Sequence, residues 1–192
     1  MITTIIFDCF GVLATDHWRA FCQKHIAPIP GALEDVQQLN HDVDAGKISF
    51  DDFIRRTSER TGLDEEAIRS GMQIGNPNTE LLDYIQAKIA PSYTIGMLSN
   101  APDNWLDKIL TPEQIALFDD ITLSYDVGFA KPKPEIYRLA ATRLNVPPEE
   151  CLFVDDQQKN CDGATQVGMH PILFTDLSSL RTSLSQLVAQ HQ

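Results

Sequence analysis

The stretch Ile5-Ile6-Phe7-Asp8-Cys9-Phe10-Gly11-Val12 decides the fold. It is an apolar run that ends in an acid and then turns at a glycine. An apolar strand has no use for Asp8 unless the strand stops there and presents the carboxylate at a site. Ligands of open α/β sheets bind beyond the carboxyl ends of the strands. Far downstream, Cys151-Leu152-Phe153-Val154 runs in the same way into Asp155-Asp156. Two strands that both end in carboxylates can build one anionic pocket. Neighbouring carboxylates repel, and the usual remedies are a cation or a raised pKa.

Working outward from these strands, apolar runs at residues 3–7, 93–98, 121–123, 151–154 and 171–174 read as strands. Helical patterns separate the later ones: 103–118 with a break at Pro112, 134–144 opening on Pro134, 157–168 closing on Gly168, and 176–190. Alternation of this kind predicts an α/β fold, a Rossmann-like parallel sheet with helices on both faces. Residues 15–90 differ. They carry no strand pattern, and helices are expected at 16–26, 32–45, 50–61 and 64–72, bounded by Pro28, Pro30, Gly46 and Gly62. A further helix at 79–89 leads back to the sheet. The expected organisation is a core of residues 1–14 and 91–192, with 15–90 as a helical cap subdomain inserted after the first strand.

Composition narrows the function. The chain has 192 residues, 43% of them hydrophobic, which is enough for a real core. Its net charge of -12 argues against a nucleic-acid partner. No apolar segment approaches the ~20 residues of a membrane span, and Met1 leads straight into a strand without a secretory signal pattern. Cys9, Cys22, Cys151 and Cys161 show no metal-ligand spacing and read as buried thiols. A cytoplasmic monomer or homodimer is expected.

Four pieces fall at strand ends or the loops beside them: Asp8; Ser99-Asn100; Lys131 in Gly128-Phe129-Ala130-Lys131-Pro132-Lys133-Pro134-Glu135-Ile136-Tyr137; and Asp155-Asp156 with Asn160. A parallel sheet gathers them at one edge. Together they supply a nucleophile, a hydroxyl donor, a cation and metal-binding carboxylates, the groups that phosphoryl transfer through an aspartyl intermediate needs. Taken singly, each has a bland reading: a capping acid, a loop dipeptide, a surface lysine, a helix N-terminal acid pair.

In order and spacing these motifs resemble the haloacid dehalogenase-like (HAD) hydrolase superfamily, over nearly the whole chain. The phrases around Ser99, Lys131 and Asp156, with Gly46-Lys47-Ile48-Ser49, look most like its small bacterial branch containing alpha-D-glucose-1-phosphate phosphatase. The resemblance implies a magnesium-dependent hydrolase of small phosphorylated metabolites, sugar phosphates included. Asp8 would attack phosphorus, Ser99 would donate to a phosphoryl oxygen, and Asn100 would shape the loop. Lys131 would neutralise the phosphate and hold Asp8 ionised. Magnesium would be held by Asp8, the Phe10 carbonyl and Asp156, supported by Asp155.

The chain departs from the family two residues after the nucleophile. The usual phosphatase has an acid/base aspartate there, and this chain has Phe10. Loss of such a group costs about 10²–10⁴-fold in rate. Asp16 and His17, at the start of the insertion, are candidate substitutes. Phe10 also leaves open a 2-haloacid dehalogenase, which needs no metal and so has no use for Asp155-Asp156. A third reading is a binding or regulatory protein that lost turnover with its acid/base.

Overall fold

A computed structural model describes residues 1–73 and 75–190. The elements run β1 (Thr4–Phe7), α1 (His17–Phe21) continuing into a π-helical turn (Cys22–Ile26), α2 (Ala32–Asp44), α3 (Phe50–Thr61) and α4 (Glu65–Gly71). They continue with α5 (Thr79–Tyr84) and its π-helical turn (Ile85–Ile89), β2 (Thr94–Ser99), α6 (Leu106–Ile109), α7 (Pro112–Ile115) and β3 (Asp120–Leu123). The chain then forms α8 (Ser124–Val127), α9 (Pro134–Arg143), β4 (Cys151–Asp155), α10 (Gln158–Gln166), β5 (His170–Leu173) and α11 (Leu177–Gln190).

The five strands form one sheet in the order β3-β2-β1-β4-β5, parallel throughout. This is the expected α/β core. β1 lies at the centre with Phe7 opposite Met97 on one side and Val154 on the other. Each apolar run splits between the two faces by strand alternation. Ile5, Phe7, Ile95, Met97, Leu152 and Val154 enter one buried cluster, while Ile6, Leu98, Cys151 and Phe153 enter the other. Burial on both faces is why these strands read as unbroken apolar runs rather than alternating ones.

The insertion packs on itself. α1 to α4 bury two clusters of their own around Cys22, Ile26, Val36, Val43, Phe53, Ile54 and Ile68. Trp18 and Phe21 touch both clusters, so these rings pack the insertion. Residues 79–89 behave differently from the other inserted helices. Leu81, Leu82, Ile85 and Ile89 are buried in the sheet cluster with Ile5 and Phe7. That stripe packs with the sheet layer rather than with the other inserted helices.

Entry and exit of the insertion run side by side. Ala14 bridges Pro77, Thr15 N–H donates to the Asn76 carbonyl at 3.0 Å, and Asn78 N–H donates to the Leu13 carbonyl at 2.7 Å. The Asn78 side chain caps α5 and also donates to the Val12 carbonyl at 3.1 Å. Among the described residues no helix is long and apolar enough to cross a membrane. All four cysteines are free and buried.

Candidate active site

Asp8 follows the last residue of β1, and its N–H donates to the Val154 carbonyl at 2.8 Å, which fixes it at the sheet edge. β4 ends on Asp155, with Asp156 next. Asp8, Asp155 and Asp156 bring carboxylate oxygens within 4.8 Å of one another. Gly11 makes this approach possible. Its φ is +95°, and a Cβ there would collide with the Asp156 carboxylate. Any other residue would be strained and would push Asp156 out of the cluster.

Lys131 answers the negative charge. Its Nζ donates to Asp8 Oδ1 at 2.6 Å and to Asp155 Oδ2 at 2.7 Å, and all three side chains are buried. Asn100 holds the lysine's backbone with two bonds. Its Oδ1 accepts from Lys131 N–H at 2.8 Å and its Nδ2 donates to the Lys131 carbonyl at 3.1 Å. α10 packs so close to the same loop that a Cβ on Gly163 would lie 2.6 Å from the Pro132 carbonyl.

The acids differ in what they have left to offer. Both oxygens of Asp155 are taken, by Lys131, by Gln157 N–H at 2.8 Å and by the Asn160 amide at 3.0 Å. Asp155 therefore positions Lys131 and Asn160. Asp156 Oδ2 accepts from Arg19 Nη1 at 2.5 Å, while its buried Oδ1 has no hydrogen-bond partner. Asn160 Oδ1 is also buried and unpartnered. Orphaned acceptors beside three carboxylates and two cationic side chains suit a hard divalent cation, so the donor set fits magnesium. Burial raises the Asp8 carboxyl to about 8 against the pull of Lys131, and the charges of Asp155 and Asp156 add to the rise. Further positive charge at the site would favour the Asp8 carboxylate. Burial, and then Asp8, push the Cys9 thiol well above its ordinary value, so Cys9 is no nucleophile.

The sheet edge and the inserted helices enclose a cavity of about 770 Å³. Asp8, Phe10, Asn100, Lys131 and Asn160 line it from below, and Trp18, Arg19, Asn40, His41, Asp44 and Phe50 line it from the insertion. Ser99 closes β2 fully buried, with its Oγ donating to the Asn100 carbonyl at 3.3 Å, and does not reach the cavity wall. Phe10 packs on Trp105 with ring centroids 4.6 Å apart and offers no proton. Asp16 is committed to capping α1, accepting from Arg19 N–H at 2.9 Å and pairing with the Arg19 guanidinium at 3.1 Å. His17 lines the cavity and is exposed.

Two site residues escape a reading of the sequence. Arg19 reads as a surface arginine paired with Asp16. Only the fold carries it 137 positions along the chain to Asp156. Asp44 reads as one acid among many on α2, yet it is buried. The polar spacing Gln37, Asn40, His41 and Asp44 places these residues on one helical stripe, and that stripe faces the cavity. Burial raises the Asp44 carboxyl to about 7, against the pull of Lys131 and Lys159.

That rise has a consequence for stability. Between the ordinary carboxyl range and about 7, folded Asp44 holds a proton that the unfolded chain has released. Stability therefore falls as pH rises through this window. Asp44→Asn removes the penalty, and its amide oxygen can still accept from Asn40. The variant is expected to melt higher than wild type at pH 8, by on the order of a few kcal/mol, with no such gain at pH 4. Thermal melts at the two pH values check this, and equal shifts at both would refute it.

Comparison with known proteins places this geometry. The model of the haloacid dehalogenase-like hydrolase family matches residues 2–168. The chain is 28% identical over 185 residues to a D-ribitol-5-phosphate phosphatase of Bacteroides thetaiotaomicron, covering 88% of this chain and 89% of that one. It is similar in structure to a HAD family enzyme of Bacteroides thetaiotaomicron crystallised with magnesium and inorganic phosphate, with a TM-score of 0.70, 25% identity, and coverage of 94% of this chain and 99% of that chain. A 2-haloacid dehalogenase from Pseudomonas syringae pv. Tomato shares the fold at a TM-score of 0.59 and 20% identity, over 91% of this chain and 86% of that chain. With Asp8, Lys131 and the acid pair Asp155-Asp156 at one edge of a parallel sheet, and a family match over most of its length, this chain belongs to the haloacid dehalogenase-like hydrolases.

Proposed function

We propose that the protein is a magnesium-dependent phosphatase that hydrolyses small phosphate monoesters, sugar phosphates included, through an aspartyl-phosphate on Asp8. The observation that carries this reading is the cluster of Asp8 and Asp155, both buried on Lys131, with half-buried Asp156 beside them and an unpartnered Asp156 oxygen. The phosphatase among its relatives and the magnesium and phosphate of its structural neighbour support it. The free buried cysteines suit a cytoplasmic location.

The residues divide the work. An Asp8 oxygen forms a bond to phosphorus as the ester P–O bond breaks. Water then attacks the same phosphorus and the Asp8–phosphorus bond breaks. Lys131 neutralises phosphoryl oxygens and favours the Asp8 carboxylate. Asp155 and Asn100 hold Lys131 in place. Ser99 would donate a hydrogen bond to a phosphoryl oxygen by turning its hydroxyl away from the Asn100 carbonyl. Asp8, the Phe10 carbonyl and Asp156 would hold magnesium, which would supply positive charge to offset that of the phosphate. The inserted helices act as a cap that excludes water and selects the substrate.

The test is magnesium affinity. Asp156→Asn is expected to weaken magnesium binding at least about 10-fold by calorimetry, with the melting temperature held within a few degrees. Unchanged affinity would remove Asp156 from the metal site.

Phe10 supports a second reading, 2-haloacid dehalogenation, since no acid follows the nucleophile at the usual place. Halide release from 2-chloropropionate, assayed beside phosphate release from p-nitrophenyl phosphate, separates the two. Halide release that persists in EDTA, without phosphate release, would overturn the phosphatase reading.

A further inference from the structure

Phosphoryl transfer to Asp8 creates an alkoxide leaving group that needs a proton. Phe10 has none to give, and both oxygens of Asp16 are engaged by Arg19. Asp44 remains. It ends α2 where the insertion meets the core, and the turn after it presses on α8, with the Gly46 Cβ position 3.3 Å from the Tyr125 carbonyl. The Asp44 side chain lines the same cavity as Asp8 and Lys131, though the residue is only 6% exposed. Its Oδ2 accepts from Asn40 Nδ2 at 2.8 Å, and its Oδ1 has no hydrogen-bond partner among the described residues.

We propose that Asp44 of the insertion is the general acid and base that replaces the aspartate missing at position 10. This rests on the phosphatase reading above. In the first step Asp44 gives its proton to the ester oxygen as that oxygen leaves phosphorus and Asp8 bonds to it. In the second, the Asp44 carboxylate takes a proton from the water that attacks phosphorus, and Asp8 is released. The sum is ester plus water giving alcohol plus phosphate, with both aspartates restored. The charged groups acting on Asp44 are Lys131 and Lys159 from the core and Asp16 from the insertion. His41 lines the cavity from the same helix face. Its carboxyl sits near neutrality, where one group can serve in both directions. The insertion would then carry chemistry as well as selection, and closure of the insertion would be needed for turnover.

Leaving-group dependence tests this in the magnesium-loaded enzyme. In Asp44→Asn, kcat/KM for an alkyl ester such as glycerol phosphate is expected to fall about 10²–10⁴-fold, because the alkoxide leaves unprotonated. For p-nitrophenyl phosphate kcat/KM should change by no more than about threefold, since nitrophenolate leaves without help. The variant should instead show a burst of nitrophenolate stoichiometric with enzyme, as the aspartyl-phosphate waits for an activated water. The wild-type fall of alkyl-ester kcat/KM above about pH 7 should vanish in the variant. An equal drop for both esters would make Asp44 structural, and no drop for either would leave it idle. A rise in KM alone would make it a hydroxyl-binding residue. Each of these outcomes overturns the proposal. Wild type that releases phosphate from neither ester would overturn the phosphatase reading itself, and this proposal with it.

Discussion

Asp8→Asn is expected to abolish phosphate release from p-nitrophenyl phosphate, by at least about 10⁴-fold in kcat. An amide cannot form the phosphoenzyme, and no neighbour can take its place. Asp155 is saturated with donors, and Cys9 is a buried thiol with a raised pKa. The fold should survive, because the amide oxygen of the variant can still accept from Lys131 while one of three crowded carboxylates is gone. Melting at or above the wild-type temperature, with activity lost, is the expected pair of results. Activity within about tenfold of wild type would place the nucleophile elsewhere.

Lys131→Met carries the largest expected cost to stability, about 3–5 kcal/mol. It leaves Asp8 and Asp155 buried side by side without their shared cation. The cost has a sign in pH. Burial works against the charge on Lys131, but its acidic neighbours outweigh that and raise it above its ordinary value, so wild type keeps the cation across the accessible range. In the variant the acids take up protons at low pH and lose that remedy as pH rises. Urea unfolding in EDTA should therefore show a gap between variant and wild type that is wider at pH 8 than at pH 5. Adding Asp155→Asn should recover part of it. A gap independent of pH would mean that lost packing, not stranded charge, is the cause.

The sheet was legible because its strands are short and mainly apolar, and β1, β2 and β4 run straight into Asp8, Ser99 and Asp155. A continuous run such as Ile5-Ile6-Phe7 states that both faces are covered, and the acid after it states where the strand stops. Lys131 was legible only through the prolines around it. The packing partner of the helix at 79–89 was not. Leu81, Leu82, Ile85 and Ile89 form a stripe that would suit a neighbour in either layer, and a stripe carries no address for its partner. Arg19 and Asp44 were hidden for a related reason. Their meaning lies in a contact between distant segments and in burial at a junction, while locally each reads as a solvated helix residue. Ser99 shows the converse. Its position in the pattern is right, yet its hydroxyl is turned to its own backbone.

The bridge between Ala14 and Pro77 would give the insertion the properties of a portable module. Because Thr15 and Asn76 already touch, the chain leaves and re-enters the core at one narrow neck, and a short turn could bridge the gap if the inserted helices were removed. A different set of helices could be spliced in at the same neck without shifting the register of any strand. Exchange of that kind would keep the nucleophile and its lysine, which sit wholly in the core. It would swap out Arg19 and Asp44 together with the cavity roof. A lineage could thus change its substrate and its proton source in one recombination event.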